Sequence, residues 1–205
     1  RKDPYMRLRR LAALVLTALF LCPLDGTGQT EGPTLVTITT GLGDIEISVD
    51  TVRAPNTAAN FLRYVTGRHY NGGAFFRSVT LDNQPNNEVK IEVIQARVNL
   101  ERIEDRFEAI PLERTDATGI YHIDGAISMA RGAPNSATSS FFICIGNQPS
   151  LDFGGARNPD GQGFAAFGRV TRGQEVVRLI QQQSTSGQQL EPPIPIDSVT
   201  VTGQD

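Results

Sequence analysis

The sequence contains no tryptophan, few aromatic residues, and only two cysteines and two histidines. One cysteine, Cys22, belongs to an apolar run near the N-terminus, so a chain processed beyond that run keeps Cys144 alone. Such a chain has no internal disulfide, and a hydrophobic core must stabilise it. Cys144 lies in the apolar sequence "FFICIG" and has no histidine close to it in sequence. We therefore expect Cys144 to be a small buried hydrophobe and not a nucleophile.

Clusters of positive charge are also missing outside the N-terminus. The formal net charge is −3, and without a basic patch the chain lacks the usual feature of a nucleic-acid-binding surface. The sequence has no G-x-S-x-G, P-loop, CxxC or H-E-x-x-H motif, and His69 and His122 lack ligand-like neighbours in sequence. These absences argue against the common hydrolase and metalloenzyme classes, and we predict no metal and no cofactor.

The apolar run at residues 11–21 is too short for a membrane span of about twenty residues. Arg7, Arg9 and Arg10 precede it and small residues follow it, which is the plan of a secretory signal. We therefore predict a signal peptide with upstream residues at 1–28, cleavage after Gly28, and no stable membrane span after its removal. The remaining domain at 29–205 then has 14 basic and 20 acidic side chains. A periplasmic or secreted location follows, with tethering by an uncleaved signal anchor as the alternative.

The rest of the chain has the length of one globular domain and mostly shows the period of two that is typical of strands. "TLVTITTGLGDIEISVD" predicts a β-hairpin, with Ile45, Ile47 and Val49 on its buried face. "APNTAANFLRYVTG" and "GQEVVRLIQQ" predict two helices. Further strands are predicted in "GAFFRSVT", "VKIEVIQARV", "GAISMA", "FFICIG" and "GFAAFGRV", and around "DSVTVTG". This mainly β pattern favours a closed or nearly closed antiparallel barrel capped by two α-helices.

The stretch "GAISMARGAPNSATSSFFICIGNQPSLD" resembles the central signature of the cyclophilin-type peptidyl-prolyl isomerases. "GAFFRSV", "EVIQ" and "GFAAFGRV" resemble other blocks of that family and occur in the same order. The resemblance begins near Thr34 and reaches the C-terminus, and it implies a closed eight-stranded barrel. It also implies a cofactor-free enzyme that acts on proline-containing unfolded or extended polypeptides, and we expect a monomer.

The resemblance also implies roles for individual residues. Arg77 matches the family's catalytic arginine, and Phe75 is expected on the same face by strand alternation. Gln95 matches the glutamine that contacts the substrate backbone and helps to orient the arginine. Phe142 and Leu151 match the pocket for the proline ring. Ala130 and Arg131 match the loop segment that lies against the extended peptide, and Phe164 is the remaining substrate-binding candidate.

Several positions depart from the family pattern. Phe76 and Phe164 stand where histidine is common, Ala96 and Arg97 replace two glycines, and Ser140 replaces a glutamine. About ten extra residues separate Arg77 from Gln95, and alignment from Gln95 places Glu92 and Val93 where apolar pocket residues are expected. Ser150 stands at the position of a tryptophan associated with tight cyclosporin binding. An altered pocket suggests a second hypothesis, a catalytically weak peptide-binding module or chaperone.

Overall fold

The computed structural model describes residues 34–202, so the predicted signal peptide and the domain boundary at residue 29 lie outside the described residues. The strands are β1 Thr34–Thr40, β2 Gly43–Val49, β3 Ala74–Val79, β4 Val93–Arg97, β5 Ala126–Met129, β6 Phe141–Cys144, β7 Ala165–Arg172, β8 Thr185–Ser186 and β9 Gln189–Val201. The helices are α1 Pro55–Thr66, α2 Thr115–Thr118 and α3 Gln174–Gln181, with short 3-10 helices at Leu100–Asp105 and Pro149–Leu151.

Eight of these strands form a closed antiparallel barrel. They follow the order β1-β2-β7-β5-β6-β4-β3-β9, and β9 pairs back onto β1 to complete the ring. The two-residue strand β8 pairs with β9 alone. The predicted fold class is confirmed, and the two longer helices, α1 and α3, pack against the barrel strands. No helix within residues 34–202 is long and apolar enough to span a membrane.

The predicted N-terminal hairpin is confirmed by the pairing of β1 with β2. Ile38 lies opposite Ile45, and Val36 lies opposite Ile47. These four side chains are fully buried, while Glu46 and Ser48, which alternate with Ile45 and Ile47 along β2, are not. The alternation of apolar and polar residues therefore fixes which face of the hairpin points to the core.

Helix α1 begins at Pro55 and packs an aromatic residue into the barrel. The ring of Phe61 lies 5.5 Å from that of Phe141 on β6 and 5.1 Å from that of Phe167 on β7. Neither the N-cap residue nor the first turn supplies a carboxylate or a side-chain cap. The cap comes instead from Glu113, which is distant in sequence and accepts hydrogen bonds from the backbone N–H groups of Asn56 and Thr57.

Two apolar clusters lie on opposite faces of the β4–β6 pair. Phe141 and Ile143 belong to the main core inside the barrel. Their neighbours Phe142 and Cys144 belong to a second group, which we call the pocket cluster. It consists of Val79, Ile91, Val93, Ala126, Phe142, Cys144 and Leu151, with the partly buried Ala130 and Phe164 packed against it. The expectation that Cys144 is buried is confirmed, and burial raises the pKa of its thiol well above the usual value.

Strands β4 and β9 differ in length from their predicted bounds. Strand β4 begins only at Val93, because residues 89–92 belong to the segment inserted after β3. Strand β9 begins at Gln189, well before the predicted start near Asp197. On β3, Phe75 pairs with Ile194 and Arg77 pairs with Gln189, so residues 190–193 of β9 have no partner on β3. Two prolines lie in that stretch, where no ladder N–H is required of them.

Candidate active site

The pocket cluster lies beside the guanidinium of Arg77. Gln95 pairs with Arg77 across β3 and β4 and with Phe142 across β4 and β6, so the three residues lie side by side on one face. Phe142 is 5% exposed and Leu151 is 1% exposed. The ring of Phe164 meets that of Phe142 edge-on at 5.4 Å. The structure therefore brings the Arg77 cation, Gln95 and the apolar side chains of the pocket cluster together, as the resemblance implied.

Two glutamines hold the Arg77 guanidinium. Nη1 donates to Oε1 of Gln95 at 3.0 Å, and Nε donates to Oε1 of Gln188 at 3.0 Å. Nη2 also donates to the same Gln188 oxygen, at 2.5 Å. Burial lowers the pKa of Arg77, and the positive charge of Arg157 lowers it further. An arginine remains protonated under such conditions, so the site holds a fixed cation.

The expectation that Phe75 shares a face with Arg77 is wrong. Phe75 is fully buried in the main core, and its ring lies 6.2 Å from that of Phe141. Phe75 pairs with Ala96 and Arg77 pairs with Gln95, so Phe76 is an extra residue on β3, a β-bulge. The bulge reverses the alternation, and Arg77 therefore lies on the face opposite to Phe75.

Two departures from the family pattern meet at this bulge. The guanidinium of Arg97 lies over the ring of Phe76, at 4.9 Å from its centroid. Phe76 stands where histidine is common in the family, and Arg97 stands where glycine is common. The two replacements thus form one cation–π contact.

The pocket keeps its apolar lining despite Glu92. Ile91 and Val93, on either side of it, are 6% and 3% exposed and belong to the pocket cluster. Glu92 points elsewhere, and its carboxylate accepts a hydrogen bond from Gln181 of α3 at 3.1 Å. Ile91 and Val93 therefore supply two apolar side chains to the pocket cluster, and Glu92 supplies none.

Arg157 joins the inserted segment to the loop that follows Leu151. Its Nη1 donates to Oε1 of Gln84 at 3.0 Å and to the carbonyl of Val89 at 2.6 Å. Its backbone N–H donates to the carbonyl of Ser150 at 3.1 Å. Gln84 itself is buried and donates to the carbonyls of Thr80 and Ile91. These bonds fasten the insertion beside the pocket.

Arg131 is directed toward a neighbouring loop. It forms a bidentate ion pair with Asp160 at 2.7 and 2.9 Å and donates to the carbonyl of Gly163. Its guanidinium also lies 5.1 Å from the ring centroid of Phe164, and its side chain is only 1% exposed. Arg131 therefore fixes Phe164 at the edge of the pocket. Ala130 packs directly against the pocket cluster.

A buried chain of hydrogen bonds supports the pocket from behind. Nδ1 of His122 lies 2.7 Å from Oδ1 of Asp152, and Nε2 lies 2.9 Å from Oγ of Ser128. The His122 ring stacks on Phe142 at 5.9 Å with an interplanar angle of 15°. The connectivity is that of a hydrolase triad, yet Ser128 is fully buried and no substrate reaches its hydroxyl. The array therefore holds Phe142 in place.

Sequence reasoning missed several residues of this site. Gln188, Arg157 and Asp152 reach it from loops that are distant in sequence, and no local pattern distinguishes them from solvated polar residues. Ile91 was not predicted, because its place in the cluster depends on how the inserted segment enters β4. No grouping of three or more potential metal ligands occurs in the described part of the chain.

The closed barrel and this site together define a β-barrel protein with a candidate peptide groove, formed by a fixed guanidinium beside an apolar pocket. Residues 35–201 match the family described as "Cyclophilin type peptidyl-prolyl cis-trans isomerase/CLD". Among curated proteins, peptidyl-prolyl cis-trans isomerase A of Dickeya dadantii is 32% identical over 178 residues, which cover 86% of each chain. Peptidyl-prolyl cis-trans isomerase B of Escherichia coli is 30% identical over 82% of this chain and 99% of that protein.

Solved structures agree on the fold. A cyclophilin-type peptidyl-prolyl cis-trans isomerase of Cryptosporidium parvum superposes with a TM-score of 0.67 at 18% identity, covering 85% of this chain and 100% of that chain. A second structure of that protein, obtained in the presence of the dipeptide Ala-Pro, gives a TM-score of 0.65 at 19% identity, covering 83% and 99% of the two chains. The chain belongs to the cyclophilin-type peptidyl-prolyl cis-trans isomerases, enzymes that interconvert the cis and trans forms of X-Pro bonds.

Proposed function

We propose that Arg77 catalyses this isomerisation by stabilising the twisted X-Pro amide while the pocket cluster holds the proline ring. The barrier of about 18–20 kcal/mol arises because amide resonance must be broken during rotation. As resonance is lost, the prolyl nitrogen becomes a better hydrogen-bond acceptor, and a donor aimed at it is stronger in the transition state than in the ground state. No covalent step is needed.

The observation that carries this proposal is the fixed guanidinium beside the pocket. Arginine has five N–H donors, and the bonds to Gln95 and Gln188 use three of them. One N–H on each terminal nitrogen therefore remains for the substrate. The partly buried Phe164 and Ala130 present an apolar surface suited to a proline ring, and the buried Phe142 and Leu151 lie in the cluster against which they pack. Gln95, next to Arg77, supports both the arginine and the substrate backbone.

The test is the rate of cis–trans exchange in a short X-Pro peptide, measured for the wild type, Arg77→Ala, Arg77→Lys and the control Arg172→Ala. Arg172 is an exposed arginine on β7. Loss of the donor is expected to lower catalysis roughly 100-fold. Lysine lacks the planar fork and should not restore it. An Arg77→Ala protein as fast as Arg172→Ala would contradict the proposed mechanism.

The orientation of Glu92, which is bonded to Gln181 of α3, removes one of the pocket alterations that suggested the peptide-binding alternative. It remains one outcome of the same experiment, because a folded wild-type protein without activity would favour a binding module.

The proposal that the substrates are exported polypeptides is supported by the signal-like sequence at residues 1–28 alone. Expression of the full chain in bacteria, fractionation and N-terminal sequencing test it. A mature protein that begins at Gln29 in the periplasm is expected, and a full-length chain in the cytoplasm would contradict it.

A further inference from the structure

Gln188 makes more contacts with the Arg77 guanidinium than Gln95 does. It lies in the turn between β8 and β9, and its Oε1 accepts from both Nε and Nη2 of Arg77 at 3.0 and 2.5 Å. Gln95 accepts from Nη1 alone, at 3.0 Å. The Nε/Nη2 edge of the guanidinium is therefore bound by Gln188 from the β8–β9 turn, whereas Gln95 lies on β4.

The Gln188 amide has only one acceptable orientation. Its Nε2 donates to the backbone carbonyl of Asn83 at 3.1 Å, so its oxygen must face Arg77. A flipped amide would set its NH2 group against the arginine donors and its oxygen against a carbonyl. The partner carbonyl belongs to the segment inserted between β3 and β4, and the insertion thus reaches Arg77 through Gln188.

The turn that carries Gln188 is held independently of its side chain. The carbonyl of Gln188 accepts from the backbone N–H of Ser78 at 2.9 Å. Asn83 Nδ2 donates to the carbonyls of Ser78 and Gly187, at 2.9 and 3.2 Å. Truncation of the Gln188 side chain therefore leaves the backbone of the turn fastened to β3.

We propose that Gln188 is a positioning residue, which fixes the plane of the Arg77 guanidinium so that its two remaining N–H groups face the substrate amide. This inference rests on the proposed catalytic role of Arg77. With Gln188 removed, Gln95 holds the guanidinium by one bond, and the group can turn about that bond. Misplacement of a catalytic group by about 1 Å costs up to about 100-fold in rate.

The experiment compares Gln188→Ala with the control Gln189→Ala in the full-length protein. Gln189 is the exposed neighbour of Gln188. For Gln188→Ala we expect kcat to fall about tenfold, with KM and the melting temperature unchanged. In an Arg77→Lys background, where no fork remains to be oriented, Gln188→Ala should change kcat less than about twofold.

A second measurement observes the arginine directly and does not need activity. The Nε–H resonance of Arg77 should exchange with water faster in Gln188→Ala than in the wild type or Gln189→Ala, because its acceptor is gone.

The outcomes separate the inference from the mechanism. If Arg77→Ala loses activity and Gln188→Ala keeps wild-type kcat, the positioning role is wrong and the role of Arg77 stands. An equal loss of kcat from Gln188→Ala in both backgrounds, or an unchanged Arg77 Nε–H exchange rate, would also overturn it. If Arg77→Ala keeps the wild-type rate, both proposals fail together.

Discussion

The cap that Glu113 provides for α1 can be removed by one substitution, Glu113→Ala. The carboxylate accepts from the backbone N–H groups of Asn56 and Thr57 at 3.0 and 2.7 Å. It also accepts from the Asn56 side-chain amide at 3.0 Å and from the Thr57 hydroxyl at 2.6 Å. Because α1 has no carboxylate of its own in its first turn, the negative charge at its N-terminus comes from Glu113.

The expected loss of stability follows from what the substitution leaves unpaired. Thr57 is fully buried, so its N–H and hydroxyl lose their acceptor out of reach of water. A buried unpaired donor costs about 1–3 kcal/mol, and loss of an N-terminal cap costs about 1 kcal/mol. Water can replace the bonds of the exposed Asn56. We expect Glu113→Ala to lower the free energy of unfolding by about 2–4 kcal/mol, or about 5–15 °C in melting temperature.

Urea denaturation and calorimetry measure this loss, with Glu108→Ala as the control. Glu108 is an exposed carboxylate on the same segment. The stability of Glu113→Gln should lie between those of Glu113→Ala and Glu108→Ala. An amide keeps one acceptor oxygen but turns an NH2 group toward a backbone N–H. Isomerase activity per folded molecule should not change at low temperature. A Glu113→Ala protein within about 0.5 kcal/mol of the wild type would refute the capping argument.

Two further predictions concern the rim of the pocket. The hydrogen bonds from Arg131 and from the Gln162 N–H lower the pKa of Asp160 from 3.8 to about 2. The carboxylate therefore stabilises the fold fully above about pH 3.8, and this stabilisation is lost as the pH falls through about 2. The stability difference between the wild type and Asp160→Asn should disappear over that range, and a difference that persists unchanged at pH 2 would contradict the pairing. Ser150 stands where the tryptophan associated with tight cyclosporin binding is expected, so inhibition assays should show weak inhibition; a nanomolar inhibition constant would oppose this.

The barrel was predictable from sequence because its signals are local. The alternation in β1 and β2, the proline that starts α1 and the apolar runs of β5 and β6 each determine an element within a few residues. Local sequence patterns do not show that Phe142, Leu151 and Arg77 lie close together. That prediction came from the resemblance to the family.

The missed features depend on contacts between distant segments. Strand alternation placed Phe75 beside Arg77, and one extra residue at Phe76 reversed the result. A bulge of this kind leaves no reliable mark in the sequence of a single strand. Gln188 and Glu113 likewise resemble ordinary surface residues until the fold brings them to Arg77 and to α1.

The pairing of β1 with β9 also has a consequence for folding during synthesis. Thr37 and Thr202, whose hydroxyls lie 3.1 Å apart, are separated by 165 positions in sequence. Closing a loop of that length costs about 4–5 kcal/mol of chain entropy. While the ribosome still holds β9, β1 has no partner on one edge. The ring therefore closes only after β9 is released, and until then the nascent chain exposes an unpaired strand edge to which other chains can bind.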